Sequence, residues 1–180
     1  MTAAAFLFPG VTRMPKSSLV LLLSAVAIAA IAPLAGLPAA AYVRGIIGDL
    51  SIPSLVLLML TILRPLLGWH SPGTKAGFTI QILITVAALG LYPLALGLGY
   101  FDPYRLGYGS LWFLSVLLLV ALVACFRRLP LVALCIALSV FAWNIGWYES
   151  SNLWDYLLDP LLSVYAVSAV IRHSVQTLPR

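Results

Sequence analysis

The chain has 180 residues, of which 63% are hydrophobic and only 8% are charged. Soluble domains carry about 25% charged residues, so the composition argues against an ordinary soluble domain. The formal net charge is +5, but the basic residues stand between apolar runs and form no patch that alternates with aromatic side chains. We therefore expect no nucleic-acid partner.

Long uncharged runs recur along the chain and predict membrane-spanning helices, because about 20 apolar residues are needed to cross the hydrocarbon core. The predicted fold class is all-α, a polytopic integral membrane bundle of six transmembrane helices. A short cytoplasmic tail, residues 1–17, is followed by a single transmembrane domain, residues 18–177. The predicted spans are 18–42, 50–68, 77–100, 109–126, 130–148 and 153–173.

The first of these segments has two interpretations. It has a positive start, a long apolar run and small residues around Ala39 and Ala41, which are also the features of a cleaved signal peptide. Cleavage would leave five spans without changing the orientation of the others. If the helix is retained, Pro33 and Pro38 are expected to kink it or end it early.

The second span is short, because only 14 uncharged residues separate Asp49 from Arg64. It crosses the membrane if the guanidinium of Arg64 extends to the headgroups. If this segment is counted as a span, Arg44 and Arg105 are the only basic residues that fall on the outer side, in agreement with the positive-inside rule. Both termini are then inside, and all five acidic residues fall on the outer side. The composition and the short loops predict a bacterial inner membrane with the acidic loops in the periplasm.

Two stretches have a motif-like character, YFDPYRLGYG (100–109) and YESSNLWDYLLDPLL (148–162). Asp102 and Asp159 each precede a proline, and this order predicts a helix cap followed by the first helical residue. Asn152 stands three residues before Asp155, close to a capping box. We expect Asp102, Asp159 and Asn152 to cap helices, with a short interfacial helix from about 152 to 158 and a further helix from Pro160.

Glu149 caps no predicted helix, and it is therefore the centre of a candidate ligand or proton site on the outer side. Asn144 lies five residues earlier, deeper in the membrane, where polar groups usually face other helices. The two outer cations are candidate partners of Glu149. The full set of candidate site residues is Glu149, Asp155, Asn144, Asp49, Arg44 and Arg105.

No histidine accompanies the outer carboxylates, and the sequence has no HExxH, GxSxG or P-loop motif. We expect no catalytic residue, no metal site and no cofactor. The leading hypothesis is a non-catalytic subunit or assembly factor of a membrane complex, with membrane lipids and other membrane protein subunits as partners. One alternative is a small transporter or permease component with an outward-facing acidic site for a cation or proton. Another is an outer-leaflet binder or enzyme for lipid headgroups or lipid-linked sugars.

Overall fold

The computed structural model describes residues 15–68 and 74–177 and is all-helical apart from one short hairpin, as the fold class predicted. Nearly all of the predicted tail, 1–17, lies outside the described residues. A 3₁₀ turn (Pro103–Gly107) connects the fourth helix to the fifth. In the described residues the α-helices are α1 (Lys16–Ile31), α2 (Ala39–Ile47), α3 (Ile52–Leu67), α4 (Thr74–Ala95), α5 (Leu111–Phe126), α6 (Pro130–Asn144), α7 (Leu153–Leu157) and α8 (Pro160–Thr177).

The first predicted span, 18–42, does not form one helix. Helix α1 ends at Ile31, and a hairpin of two-residue strands, β1 (Pro33–Leu34) and β2 (Leu37–Pro38), reverses the chain before α2. The tip of the hairpin has a positive φ at two residues, of which Gly36 adopts it without steric cost. Pro33 stops α1 from continuing, because proline lacks the N–H that a helix interior needs, and Pro38 directly precedes α2.

The remaining helices form two groups. Helices α4 and α8 pack along each other, whereas α3 and α5 both pack against α6. The short helix α7 contacts α3 and α6, and the 3₁₀ turn contacts α4, α5 and α7. These two small elements therefore join the groups at one end of the bundle. The core between them is apolar and is centred on Leu91, Phe113, Leu153, Tyr156 and Ala166.

One described helix is long and apolar enough to cross a membrane, over Gly77–Ala95 in α4. Only 28% of its most apolar window is buried, whereas the core helix of a soluble protein is mostly buried. Helices α1, α3, α5 and α6 are apolar but have only 15 or 16 residues. At 1.5 Å per residue they reach about 24 Å, less than the hydrocarbon core of about 30 Å. Helix length therefore supports one span, and the six-span arrangement stays a prediction.

The last predicted span, 153–173, consists of two helices rather than one. Helix α7 ends at Leu157, and Leu158 has an extended conformation. Asp159 and Pro160 then start α8, because proline fits the first helical position and breaks a helix that reaches it from the amino-terminal side. The short helix followed by a turn and a new helix corresponds to the arrangement that Pro160 favoured in the sequence.

Candidate functional site

Most of the polar side chains with buried hydrogen bonds lie at one end of the bundle, where α3, α5 and α8 begin and α4 and α6 end. They come from three segments, residues 50–54, 102–108 and 148–159, which we call the polar layer. The second and third segments lie within the two motif-like stretches of the sequence. The fold brings them together, since the Tyr104 hydroxyl donates hydrogen bonds to the Asp155 carboxylate.

The Asp159 carboxylate lies inside the polar layer, and the residue is 3% exposed. Its Oδ2 atom accepts hydrogen bonds from the Ser51 amide at 3.0 Å, the Ser51 hydroxyl at 2.7 Å and the Ser54 hydroxyl. Its Oδ1 atom accepts the Leu162 amide at 2.8 Å. The carboxylate therefore caps α8 and also holds the start of α3 against it. Among the described residues, no Lys, Arg or His forms an ion pair with it.

Asp155 connects α7 to the 3₁₀ turn. The Tyr104 hydroxyl is 3.0 Å from each of its carboxylate oxygens, and the Ser150 hydroxyl donates to Oδ2 at 2.5 Å. Burial raises the pKa of Tyr104 above its ordinary value, and the adjacent Asp155 carboxylate raises it further because two negative charges repel each other. Tyr104 therefore stays protonated and acts as a hydrogen-bond donor well above neutral pH.

Asn152 is fully buried and joins the same two segments. Its Nδ2 donates to the Tyr104 carbonyl at 2.9 Å, and its Oδ1 accepts the Trp154 amide at 2.9 Å. The indole N–H of Trp154 donates to the Pro103 carbonyl at 2.9 Å. Gly107 packs so closely here that an added Cβ would lie 1.7 Å from the Asn152 Oδ1. Only glycine fits this position while Asn152 keeps its hydrogen bonds.

Two tyrosines complete the polar layer. The Tyr148 hydroxyl donates to the Leu50 carbonyl at 2.6 Å, and the Tyr156 hydroxyl accepts the Tyr148 amide at 3.0 Å. These bonds attach the loop after α6 to the start of α3, so that the three segments of the polar layer are connected to one another.

Three of the candidate ligand residues lie together near the surface, and two of them, Arg44 and Asp49, line an open cavity of about 300 Å³. The Arg44 Nε is 2.5 Å from Asp49 Oδ1, and the Asp49 carboxylate raises the pKa of Arg44. The Glu149 carboxylate is 4.0 Å from the Arg44 guanidinium, and its side chain is 93% exposed. Glu149, which the sequence made the centre of the candidate site, is thus solvated beside an exposed ion pair.

The other candidate residues are separated. Asn144 is exposed at the end of α6, and Arg105 is exposed on the 3₁₀ turn. Neither side chain forms a hydrogen bond or ion pair with Glu149 in the described residues. The remaining candidate, Asp155, lies in the polar layer. The three predicted caps are at helix starts: Asp102 accepts the Tyr104 amide, and Asn152 and Asp159 accept amides as described above. In the described residues there is no group of three His, Cys, Asp or Glu side chains that could hold a metal ion.

A line of polar side chains continues from Asp159 along the contact between α4 and α8. Tyr92 and Ser163, the latter one turn beyond Asp159, line the same groove between α4 and α8. Further along, Gln81 Nε2 donates to the Tyr165 hydroxyl at 3.4 Å. Polar side chains therefore occur at several levels along the contact between α4 and α8, although apolar side chains alone could pack these two helices together.

Sequence reasoning did not identify Ser51, Ser54, Tyr104 or Gly107 as parts of the site. Two signals were available: Ser51 precedes Ile52-Pro53 as a helix cap would, and Gly107 lies in a motif-like stretch. Their contacts with the 148–162 stretch depend on packing across the bundle. Comparison with family models, with curated proteins and with solved structures finds no match for this chain.

Proposed function

We propose that this chain is a small bacterial inner-membrane protein of six spans, with both termini inside, that acts as a non-catalytic subunit or assembly factor of a membrane complex. The observation that carries the proposal is the exposure of the apolar helix α1. This helix is apolar on all sides, yet Leu19 is its single buried side chain in the described structure. A helix that is hydrophobic all round is stable when it is surrounded by other apolar groups.

The sequence of α1 favours another protein helix as its neighbour. Ala25 and Ala29 lie one turn apart on the same face, and both are exposed. Small residues at this spacing let two helix backbones approach closely, which is the usual way in which membrane helices associate. The arrangement supports a partner helix on α1, while the polar layer keeps the other helices of the bundle together.

The six-span topology is supported by charge rather than by helix length. With six spans and both termini inside, two of the ten basic residues lie outside and eight lie inside, as the positive-inside rule expects. Helices of 15 or 16 residues cross if the bilayer thins locally and long basic side chains such as Arg64 extend to the headgroups. The polar layer then lies at the periplasmic surface.

The test is purification from the membrane in a mild detergent, followed by identification of the proteins that remain bound. We expect a stoichiometric membrane protein partner with the native chain. The double variant Ala25→Leu/Ala29→Leu should lose it, because the added side chains keep the helices apart. Ala27→Leu is the matched control, since residue 27 lies on the opposite side of α1. A native chain that purifies alone, or a partner that binds all variants equally, contradicts the proposal.

A second candidate function is transfer of a proton or cation, and Asp159 rather than Glu149 favours it. A carboxylate that is buried without a cation nearby is a typical ion or proton site in membrane proteins. The polar side chains of Tyr92, Ser163, Gln81 and Tyr165 lie beyond it along α4 and α8. Proton flux into liposomes that contain the purified protein tests this function. Transfer predicts that Asp159→Asn abolishes the flux and Glu149→Gln preserves it, whereas no flux in the native protein rejects it.

A further inference from the structure

An apolar cleft of about 400 Å³ lies between the two helix groups, beneath the polar layer. Its volume is within the range of small-molecule sites, about 300–1,000 Å³. The walls come from α3, α4, α5 and α6, and the end near the polar layer is closed by α7. Representative lining residues are Leu57, Ile84, Ala87, Phe113, Leu117 and Trp154.

The cleft exists because the two helix groups are joined mainly at one end. The 3₁₀ turn and α7 bridge them in the polar layer, and α4 and α5 face each other across the opening further down. Val86 and Val116 line the cleft and are more than half exposed, so they mark a mouth on the side of the bundle. If the bundle spans a bilayer, this mouth opens into hydrocarbon. An apolar cavity does not hold water, and close packing favours filling it with an apolar group.

The apolar group that suits such a cleft is a lipid chain, and the charged side chains near the closed end of the cleft indicate which class of lipid fits. Trp154 lines the cleft, and its indole N–H is bonded to the Pro103 carbonyl, two residues before Arg105. The guanidinium of Arg105 is exposed and forms no hydrogen bond or ion pair with the described residues. The other cation at this end, Arg44, is already paired with Asp49. A negatively charged headgroup above the cleft would supply the missing partner of Arg105.

We propose that the cleft binds one acyl chain of an anionic phospholipid from the outer leaflet, with the headgroup beside Arg105. The chain enters from the side between α4 and α5 and ends its path in the apolar space under Trp154. The lipid then contacts both helix groups and holds them together at the level where they do not contact each other. The leaflet rests on the membrane topology of the proposed function. The site itself is separate from the surface of α1 on which that proposal places a protein partner, so loss of the partner and loss of the lipid are distinguishable.

The test uses the full-length protein reconstituted in vesicles of equal parts phosphatidylcholine and phosphatidylglycerol, extracted in detergent and weighed by native mass spectrometry. We expect one retained lipid per chain, mainly phosphatidylglycerol. Ala87→Phe fills the cleft and should lower retention at least about tenfold, the equivalent of about 1.4 kcal/mol. Ala137→Phe is the matched control, because residue 137 is exposed on α6 and does not line the cleft. Arg105→Gln should keep one lipid but lose the preference for phosphatidylglycerol.

Several outcomes overturn the proposal. They are native protein without a retained lipid, equal retention in the Ala87→Phe and Ala137→Phe variants, and an unchanged preference in Arg105→Gln. Release of a protein subunit rather than a lipid by Ala87→Phe also overturns it, since the occupant would then be a helix. If Ala87→Phe does not fold, as judged by size-exclusion chromatography, Leu117→Trp replaces it, because it blocks the same cleft from α5. The same loss of lipid retention is then expected, and retention equal to that of Ala137→Phe overturns the proposal.

Discussion

The polar layer and the amino-terminal segment, residues 16–47, are attached to the bundle in different ways. In the polar layer, buried hydrogen bonds join segments as far apart in the chain as Ser51 and Asp159. For the amino-terminal segment, the ion pairs of Arg44 with Asp49 and Glu149 are exposed. A hydrogen bond to a buried charged group contributes about 1.5–3 kcal/mol, whereas an exposed ion pair contributes about 0–1 kcal/mol.

This difference indicates where the fold gets its specificity. Apolar contacts between helices allow many arrangements of similar energy, because the hydrophobic effect has no preferred direction. A buried donor or acceptor, in contrast, is satisfied in few arrangements. We therefore expect substitutions in the polar layer to affect the whole bundle, and substitutions on the surface near Arg44 to change little.

The largest effect is expected from Gly107→Ala. The new Cβ would lie 1.7 Å from Asn152 Oδ1 and 2.8 Å from a ring carbon of Trp154, and both side chains are fixed by hydrogen bonds. Relief of this clash would break those bonds, at a cost of about 3 kcal/mol or more in the free energy of unfolding. Thermal unfolding in detergent, followed by circular dichroism, measures the loss.

Gly90→Ala is the matched control for this substitution. Gly90 lies within α4, and an added Cβ would meet no atom within 4 Å. Replacement of an exposed helical glycine by alanine should leave stability unchanged or raise it by up to about 1 kcal/mol. Equal melting temperatures for the two variants would contradict the tight packing that we assign to Gly107.

The second largest effect is expected from Asp159→Asn. The amide keeps one oxygen for the Leu162 N–H, but its NH₂ group would face the Ser51 and Ser54 donors. Buried donors without an acceptor should lower the free energy of unfolding by about 2–3 kcal/mol. Ser168→Ala is a control, because its hydroxyl bonds only to its own helix at an exposed site. Melting temperatures that match for Asp159→Asn and Ser168→Ala would show that Asp159 does not hold α3 to α8.

Tyr104 gives the polar layer a dependence on alkaline pH. Its pKa is raised in the folded chain, so folding favours the protonated form. The resulting stabilisation is complete below the unfolded pKa of about 10 and is lost as the pH rises from there towards the folded value. Tyr104→Phe should cost about 1–2 kcal/mol at pH 8, through loss of the bonds to Asp155, and it should lose less stability between pH 8 and pH 11 than the native chain does.

Melting curves at the two pH values check this prediction, with Tyr100→Phe as the control, since Tyr100 is fully exposed. Tyr100→Phe should keep the alkaline sensitivity of the native chain. A Tyr104→Phe chain that loses as much stability as the native one would assign the sensitivity to other tyrosines.

The parts of the polar layer that were predictable from the sequence are those that depend on near neighbours. Capping joins residues two or three positions apart, so Asp102, Asn152 and Asp159 could be placed at helix starts from Asp-Pro and Asn-x-x-Asp patterns alone. The break in the last predicted span followed in the same way from Pro160. In the first span, Pro33 and Pro38 indicated an early end, but they did not indicate a hairpin between two helices.

The contacts between distant segments could not be predicted in this way. Nothing in the order of residues indicates that Asp159 accepts bonds from Ser51 and Ser54, because that depends on how α3 packs beside α8. The sequence indicates Glu149 as the centre of a site because it caps no predicted helix. Asp159 does cap a helix, and yet it has more buried hydrogen bonds than Glu149. A residue can cap one helix and still hold a second helix against it.

The smallest effect is expected from Glu149→Gln. The side chain is 93% exposed, and its nearest cation, the Arg44 guanidinium, is 4.0 Å away and already bonded to Asp49. Removal of its charge should change the free energy of unfolding by less than about 0.5 kcal/mol, and added salt should abolish the difference. Melting temperatures at low and high salt measure this. A loss as large as that of Asp159→Asn would mean that Glu149 makes a buried contact in the assembled protein, and the surface around Arg44 would then be an interface with another chain rather than an exposed face.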